Sequence, residues 1–102
     1  MNGKGRGITS EMMRAGRALL RWEQRDLATR AMVSLPSVKR LETITGTLAA
    51  QEKTVVAIEK AFAEAGVTFK TGINFKNQTA TYTVTLELPF ILDDEDGQDS
   101  GS

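Results

Sequence analysis

The sequence contains no cysteine and no histidine, and only six aromatic residues and two prolines among its 102 positions. Without cysteine the chain has neither a disulfide framework nor a thiolate metal site, which fits a reducing cytosol. Without histidine it lacks the commonest general base and the commonest metal ligand. These absences argue against an enzyme, so we predict no catalytic residue, no cofactor and no metal site.

Long apolar runs are also missing, and none approaches the roughly 20 residues that a membrane-spanning helix needs. The first residues, MNGKGRG, show no apolar h-region, so no secretory signal is expected. A length of 102 residues suits one domain with a single small core. We therefore expect a single-domain cytoplasmic protein with no membrane partner.

A formal net charge of zero hides a strong asymmetry along the chain. Residues 1–50 hold nine Lys or Arg against four Asp or Glu, and residues 51–92 hold four of each. The last ten residues carry five acidic side chains and no basic one. The basic first half favours a polyanionic partner, and the acidic end is typical of a solvated tail.

Helical periodicity predicts an ordered set of helices between residues 9 and 66. We predict a first helix that is capped by Thr9 or Ser10 and continues to about Arg21. Further helices are predicted over residues 24–31, 35–43 and 52–65, with Ser34 capping the third and Gly66 ending the fourth. Residues 24–42, QRDLATRAMVSLPSVKRLE, form two short helices around a tight turn. Their apolar positions can clamp the two helices together and leave polar and cationic side chains of the second exposed. That is the requirement of a helix-turn-helix whose second helix enters a DNA major groove.

The period changes after Gly66. Residues 67–71 alternate apolar with polar, residues 76–78 favour a turn, and residues 79–88 alternate again with many threonines. This pattern predicts an antiparallel β-hairpin. Because an isolated hairpin is only marginally stable, it needs a partner surface, which is either its own helices or a second chain.

The residues from Arg14 to Phe69 resemble the Cro/lambda-repressor-type (XRE) helix-turn-helix family of bacterial and phage regulators. The resemblance is carried by RALLRW, Gln24 at the start of the second helix, DLATRAMVS, SLPSVKRLE and AIEKAFAEAGVTF. The fold class expected is mainly α, a lambda-repressor-like bundle of four to five helices with a C-terminal antiparallel β-hairpin. The expected organisation is a flexible basic arm (residues 1–8), a DNA-binding domain (9–66), a hairpin that can serve dimerisation (67–90) and a disordered acidic tail (91–102).

The expected function is sequence-specific DNA binding as a dimeric transcriptional repressor, either autoregulatory or antitoxin-like. The alternative is a protein–protein interaction module that keeps the helix-turn-helix scaffold without specific DNA binding. The expected partners are double-stranded DNA and a second copy of the chain. In the autoregulatory or antitoxin-like variant, the hairpin or the acidic tail would hold a second protein.

Candidate DNA contacts fall into base-reading and phosphate-binding groups. On the third helix, Arg40 suits guanine, and a cap followed by polar and cationic positions favours contacts from Ser34, Leu35, Pro36, Ser37 and Lys39. The resemblance implies that Gln24, with Arg25 beside it, binds phosphate, and that Thr43 and Thr45 do so from the following loop. Lys4 and Arg6 either enter a minor groove or remain in solvent.

The resemblance also implies a partly buried ion pair between Arg17 and Glu42, which would lock the third helix to the first. Two residues depart from the family pattern. Met32 stands where glycine is usual in the turn, so that it is either strained or an extra core residue. Glu23 replaces the usual Ser or Thr cap and brings a negative charge near the expected phosphates.

Overall fold

The computed structural model describes residues 7–90, so the arm positions before Gly7 and the tail from residue 91 lie outside the described residues. Within this range the chain forms four helices followed by a two-stranded antiparallel hairpin. In chain order these are α1 (Ser10–Leu20), α2 (Gln24–Ala31), α3 (Leu35–Glu42), α4 (Glu52–Glu64), β1 (Val67–Asn74) and β2 (Thr79–Leu86). The helix-plus-hairpin architecture predicted from the sequence is thus confirmed.

Helix ends follow local chemistry. The Thr9 hydroxyl accepts the Met12 N–H at 3.0 Å and begins α1, and Ser34 begins α3 in the same way through the Ser37 N–H at 3.2 Å. Predicted boundaries of α1, α3 and α4 each extended one residue too far, since Arg21, Thr43 and Ala65 are C-caps. Gly66 follows α4 with φ of +99°, a left-handed conformation that suits glycine.

One core joins all four helices to the base of the hairpin. Its fully buried side chains are Phe62, Met13, Leu27, Leu41, Ile58, Val38, Val67 and Ser10. Phe62 of α4 stacks on Trp22 at 5.6 Å between ring centroids and meets Phe69 of β1 edge-on at 5.2 Å. This aromatic cluster fastens the start of the hairpin to the helices.

The loop after α3 returns to the start of α1. The Ser10 N–H donates to the Gly46 carbonyl at 2.8 Å, the Leu48 N–H donates to the Ile8 carbonyl at 3.2 Å, and Thr9 and Thr47 form an isolated bridge. The Ser10 hydroxyl also donates to the Ile44 carbonyl. These hydrogen bonds anchor the loop that follows α3 to the start of α1, while α2 packs against α3 itself.

Candidate functional site

The third helix turns one face into the core and the other to the solvent. Val38, Leu41 and Glu42 are buried. Exposed on the other side are Ser34, Pro36, Lys39 and Arg40, with Ser37 half-buried between them. Pro36 lies in the first turn, where its missing N–H costs no helical hydrogen bond. The helix therefore presents the Lys39 and Arg40 cations to the solvent, while its buried side chains hold its backbone in place.

Leu35, a predicted DNA contact, is half-buried and packs against the core, so only part of its side chain faces the solvent. It borders a shallow depression between α2 and α3, together with Glu23, Gln24, Arg25 and Lys39. Four of these five residues carry polar or charged side chains. The depression extends from the start of α2 to α3. The residues predicted to bind phosphate therefore lie beside those predicted to read bases.

Glu42 is the anchor of the site. Its side chain is only 4% exposed, and its two carboxylate oxygens accept hydrogen bonds from Arg17 Nε and Nη2, both at 2.7 Å. The Gln24 Nε2 donates to the same carboxylate at 2.9 Å. A bidentate guanidinium pair fixes direction as well as distance, so the end of α3 is held in one orientation relative to α1 and α2.

Two further contacts at this anchor were missed by the sequence reasoning. Arg14 Nη1 donates to the Glu42 carbonyl at 2.7 Å, and Arg17 Nη1 donates to the Trp22 carbonyl at 2.9 Å. The first places a cation at the C-terminal end of α3, where the helix dipole favours positive charge. A usable signal was present, because Arg14 and Arg17 are three residues apart and share one face of α1.

The residues predicted to bind phosphate lie on both flanks of α3. Gln24 is half-buried against Glu42, whereas Arg25, Thr43 and Thr45 are exposed. The Thr43 hydroxyl donates to the Arg40 carbonyl at 2.7 Å, so its proton is already engaged within the helix end.

Glu11 braces the loop that carries the threonines. Its carboxylate accepts the Gly46 N–H at 3.2 Å. Hydrogen bonds from its own backbone N–H and from that of Gly46 lower the pKa of the Glu11 carboxyl below its ordinary value. The loop is thus tied to the first turn of α1 while the carboxylate is ionised.

Met32 closes α2 in the left-handed region, with φ of 58° and ψ of 42°. Its side chain is 89% exposed, so the interpretation of Met32 as an extra core residue is wrong. The turn is a Schellman-type end in which the Met32 N–H donates to the Thr29 carbonyl at 3.3 Å and the Val33 N–H donates to the Ala28 carbonyl at 3.0 Å. The backbone geometry of a glycine turn is therefore kept with a methionine in it.

Replacing Met32 with glycine is expected to raise the free energy of unfolding by about 1 kcal/mol, because a left-handed non-glycine residue is strained by about that amount. Met32→Ala is the matched control: it keeps the Cβ and its strain and should leave stability within about 0.5 kcal/mol. Urea denaturation compares the three proteins. A Met32→Gly protein no more stable than Met32→Ala would show that the turn holds no such strain.

Glu23 precedes α2, and its N–H donates to Asp26 Oδ2 at 2.8 Å, so the start of the helix is closed by an acidic side chain. Glu23 is exposed and borders the depression. The negative charge of Glu23 therefore lies beside the residues predicted to contact DNA.

Other kinds of site are not formed by the part of the chain that the structure describes. Residues 7–90 contain no group of three or more acidic side chains placed to hold a metal ion. None of the helices in that range is long and apolar enough to span a bilayer.

Comparison of the chain with protein-family models, curated proteins and solved structures finds no match.

Proposed function

We propose that this protein is a sequence-specific DNA-binding transcriptional regulator with a lambda-repressor-like helical bundle. The observation that carries the proposal is that α3 has an exposed side and an anchored side. Lys39 and Arg40 are exposed, whereas Glu42 is buried and accepts hydrogen bonds from Arg17 and Gln24. A helix that reads bases must be both exposed and rigidly positioned. α3 meets both requirements.

The base-reading residue of the proposal is Arg40, whose guanidinium can donate to guanine O6 and N7 together. Ser37 and Lys39 lie within one turn of it and can reach a base edge or a phosphate. Leu35, being half-buried, offers only its outer surface to a thymine methyl.

Phosphate contacts in the proposal come from both flanks of α3. Gln24 donates one amide hydrogen to Glu42 and keeps the other for a phosphate oxygen. The contact is extended by three exposed residues, Arg25, Thr43 and Thr45. The N-terminal end of α3, capped by Ser34, would point toward the phosphate backbone of the DNA. Such contacts set register and affinity, whereas Arg40 sets sequence.

The regulator would act as a homodimer whose two recognition helices address half-sites about 34 Å apart. One variant of the proposal is a phage-type regulator or an antitoxin that represses its own operon. The signal for release would come through dimerisation, proteolysis or a protein partner.

The test is a fluorescence titration against a duplex selected by the protein from a random library, with an unselected duplex as reference, at two salt concentrations. Arg40→Ala should weaken binding to the selected duplex by roughly 5- to 150-fold, equivalent to about 1–3 kcal/mol. Lys60→Ala is the matched control, since Lys60 is an exposed cation on α4 whose ion pair with Glu64 is loose at 3.9 Å.

Affinity should fall steeply with salt for both the wild type and Lys60→Ala, since phosphate contacts release counterions. Equal, weak binding to both duplexes that Arg40→Ala leaves unchanged would reject the proposal. That result would favour the alternative, a protein–protein interaction module on the same scaffold.

A further inference from the structure

The first three helices expose an excess of positive charge, whereas the rest of the described chain is balanced. Between residues 10 and 42 the exposed cations are Arg14, Arg21, Arg25, Arg30, Lys39 and Arg40. Only three exposed carboxylates lie in that range, because Glu42 is buried against Arg17. Residues 51–90 hold four basic and four acidic side chains. An anionic ligand is therefore attracted to α1, α2 and α3 rather than to α4 or the hairpin.

The sequence itself supplies an anion of matching character. Residues 93–99, DDEDGQD, contain five carboxylates and no basic residue, and we call this stretch the acidic segment. It lies outside the described residues. Carboxylates and phosphate oxygens accept hydrogen bonds from the same cationic donors, arginine above all. The acidic segment therefore has the charge pattern of a ligand for a phosphate-binding surface.

The acidic segment is attached close to the helices. The Glu87 N–H donates to the Gly66 carbonyl at 2.8 Å, so the chain leaves β2 at the base of the hairpin, beside the end of α4. β2 packs against α1, and α1 packs against α3. Only α1 thus separates this base from α3, a distance of roughly 20 Å when packed layers are about 10 Å apart. Asp99 lies nine residues after Phe90, and an extended chain of that length spans about 30 Å.

Donors suited to carboxylates are collected between α2 and α3. Arg25 and Lys39 border the same shallow depression, with the Gln24 side chain between the two helices beside them. Arg40 is exposed next to Lys39 on α3. Of the residues that border the depression only Glu23 is acidic. The surface can therefore hold several carboxylates at once.

We propose that the acidic segment binds the cationic surface of α2 and α3 in its own chain and there competes with DNA. The segment acts as an internal substitute for the phosphate backbone and so regulates the surface to which the proposed function assigns DNA. The competition with DNA rests on that proposed function. The binding of the segment rests on charge, attachment and reach, and it does not require that DNA is the natural ligand.

Attachment to the same chain makes weak ion pairs sufficient. Exposed ion pairs are individually weak. A ligand joined by a short linker has an effective concentration of roughly 1 mM, so a sub-millimolar dissociation constant keeps the surface mostly occupied. An occupancy of about 70–90% raises the apparent dissociation constant for DNA about 3- to 10-fold, because only the unoccupied fraction binds. Salt reduces the occupancy, since exposed charges are screened.

The first test locates the acidic segment in the whole chain without DNA. Because the chain contains no cysteine, Ser100→Cys gives a single attachment point for a nitroxide label beside the segment. At low salt the label should broaden the amide signals around Arg25 and Lys39, and high salt should restore them. The internal controls are Lys60 of α4 and Lys76 of the hairpin turn, exposed lysines whose signals should remain sharp.

A mixed sample separates binding within one chain from binding between chains. Nitroxide-labelled protein without isotopes is added to isotope-labelled protein without nitroxide, so that only contacts between two copies can broaden a signal. The signals around Arg25 and Lys39 should stay sharp in this sample, because the proposed contact is intramolecular.

The second test measures affinity for the selected duplex at low salt. One variant neutralises three carboxylates of the acidic segment, through Asp93→Asn, Asp94→Asn and Asp96→Asn. The matched control gives the same change in net charge on α4, through Glu52→Gln, Glu59→Gln and Glu64→Gln. The segment variant should bind DNA about 3- to 10-fold more tightly than the wild type. The α4 variant should gain no more than about 2-fold, because distant charges are screened. Circular dichroism verifies that both are folded.

Each failure points to one part of the proposal. A label that broadens no signal of α2 or α3, or broadens those of Lys60 and Lys76 equally, overturns the binding of the acidic segment. Broadening in the mixed sample overturns binding within the same chain. Equal gains in DNA affinity for the two neutralised variants overturn the competition. Specific broadening in a protein that binds neither duplex rejects the proposed function alone, whereas selective DNA binding without broadening rejects only this inference.

Discussion

Replacing Glu42 with alanine is expected to lower the free energy of unfolding by about 3–5 kcal/mol, because the Arg17 guanidinium would be left without its counter-charge. The Arg17 side chain is only 19% exposed and its partner 4%, so water does not easily replace the lost carboxylate. Gln24 would lose its acceptor in the same change. The end of α3 would then be released from both α1 and α2.

Urea denaturation followed by circular dichroism measures this loss. Lys39→Ala on the same helix is the control and should shift stability by no more than about 0.5 kcal/mol, since Lys39 is exposed. The double change Arg17→Met with Glu42→Leu should recover much of the loss, because an apolar pair strands no charge. A Glu42→Ala protein as stable as Lys39→Ala would contradict the anchoring role.

Truncating Phe62 to alanine is expected to cost about 3–5 kcal/mol, the usual range for a buried phenylalanine. Phe62 is fully buried and touches Trp22 on one side and Phe69 on the other. Gly16 of α1 lies against the same ring, where an added Cβ would approach within 2.9 Å of it. The neighbours are held by separate elements, so they cannot all close the resulting cavity.

Thermal and urea unfolding measure the Phe62→Ala effect. Val56→Ala is the matched control on the same helix, because Val56 is 51% exposed. Its change should remain below about 1 kcal/mol. The hairpin should also loosen in the Phe62→Ala protein, which hydrogen exchange of the β1 and β2 amides can report. Equal stability of the two variants would contradict a core centred on Phe62.

Much of the fold could be predicted from the sequence, because its signals are local. The Ser34 hydroxyl and the apolar spacing of Val38 and Leu41 locate α3 without tertiary information. The alternation beyond Gly66 similarly predicts a hairpin, although β1 continues to Asn74 and β2 already ends at Leu86. Strand length depends on the pairing of two segments and on the turn between them, which alternation in one segment does not determine.

Parts of the site depend on distance in space, and there the sequence was less informative. The contact of Arg14 with the Glu42 carbonyl spans 28 positions and follows only from the docking of α3 on α1. Leu35 is half-buried because it packs against the core, which its place at the helix start does not reveal. Alternation along β2 is uniform, yet of its residues only Val84 and Leu86 pack against the core.

The most direct measurement of the central claim is the mapping of backbone amide shifts in isotope-labelled protein as the selected duplex is added. DNA recognition by α3 predicts that the largest shifts occur from Ser34 to Arg40 and at Gln24 and Arg25. The distal hairpin around Ile73 and Tyr82 should remain unshifted. Shifts that avoid α3, or that spread evenly over exposed lysines and arginines on every element, would contradict the claim that this helix reads DNA.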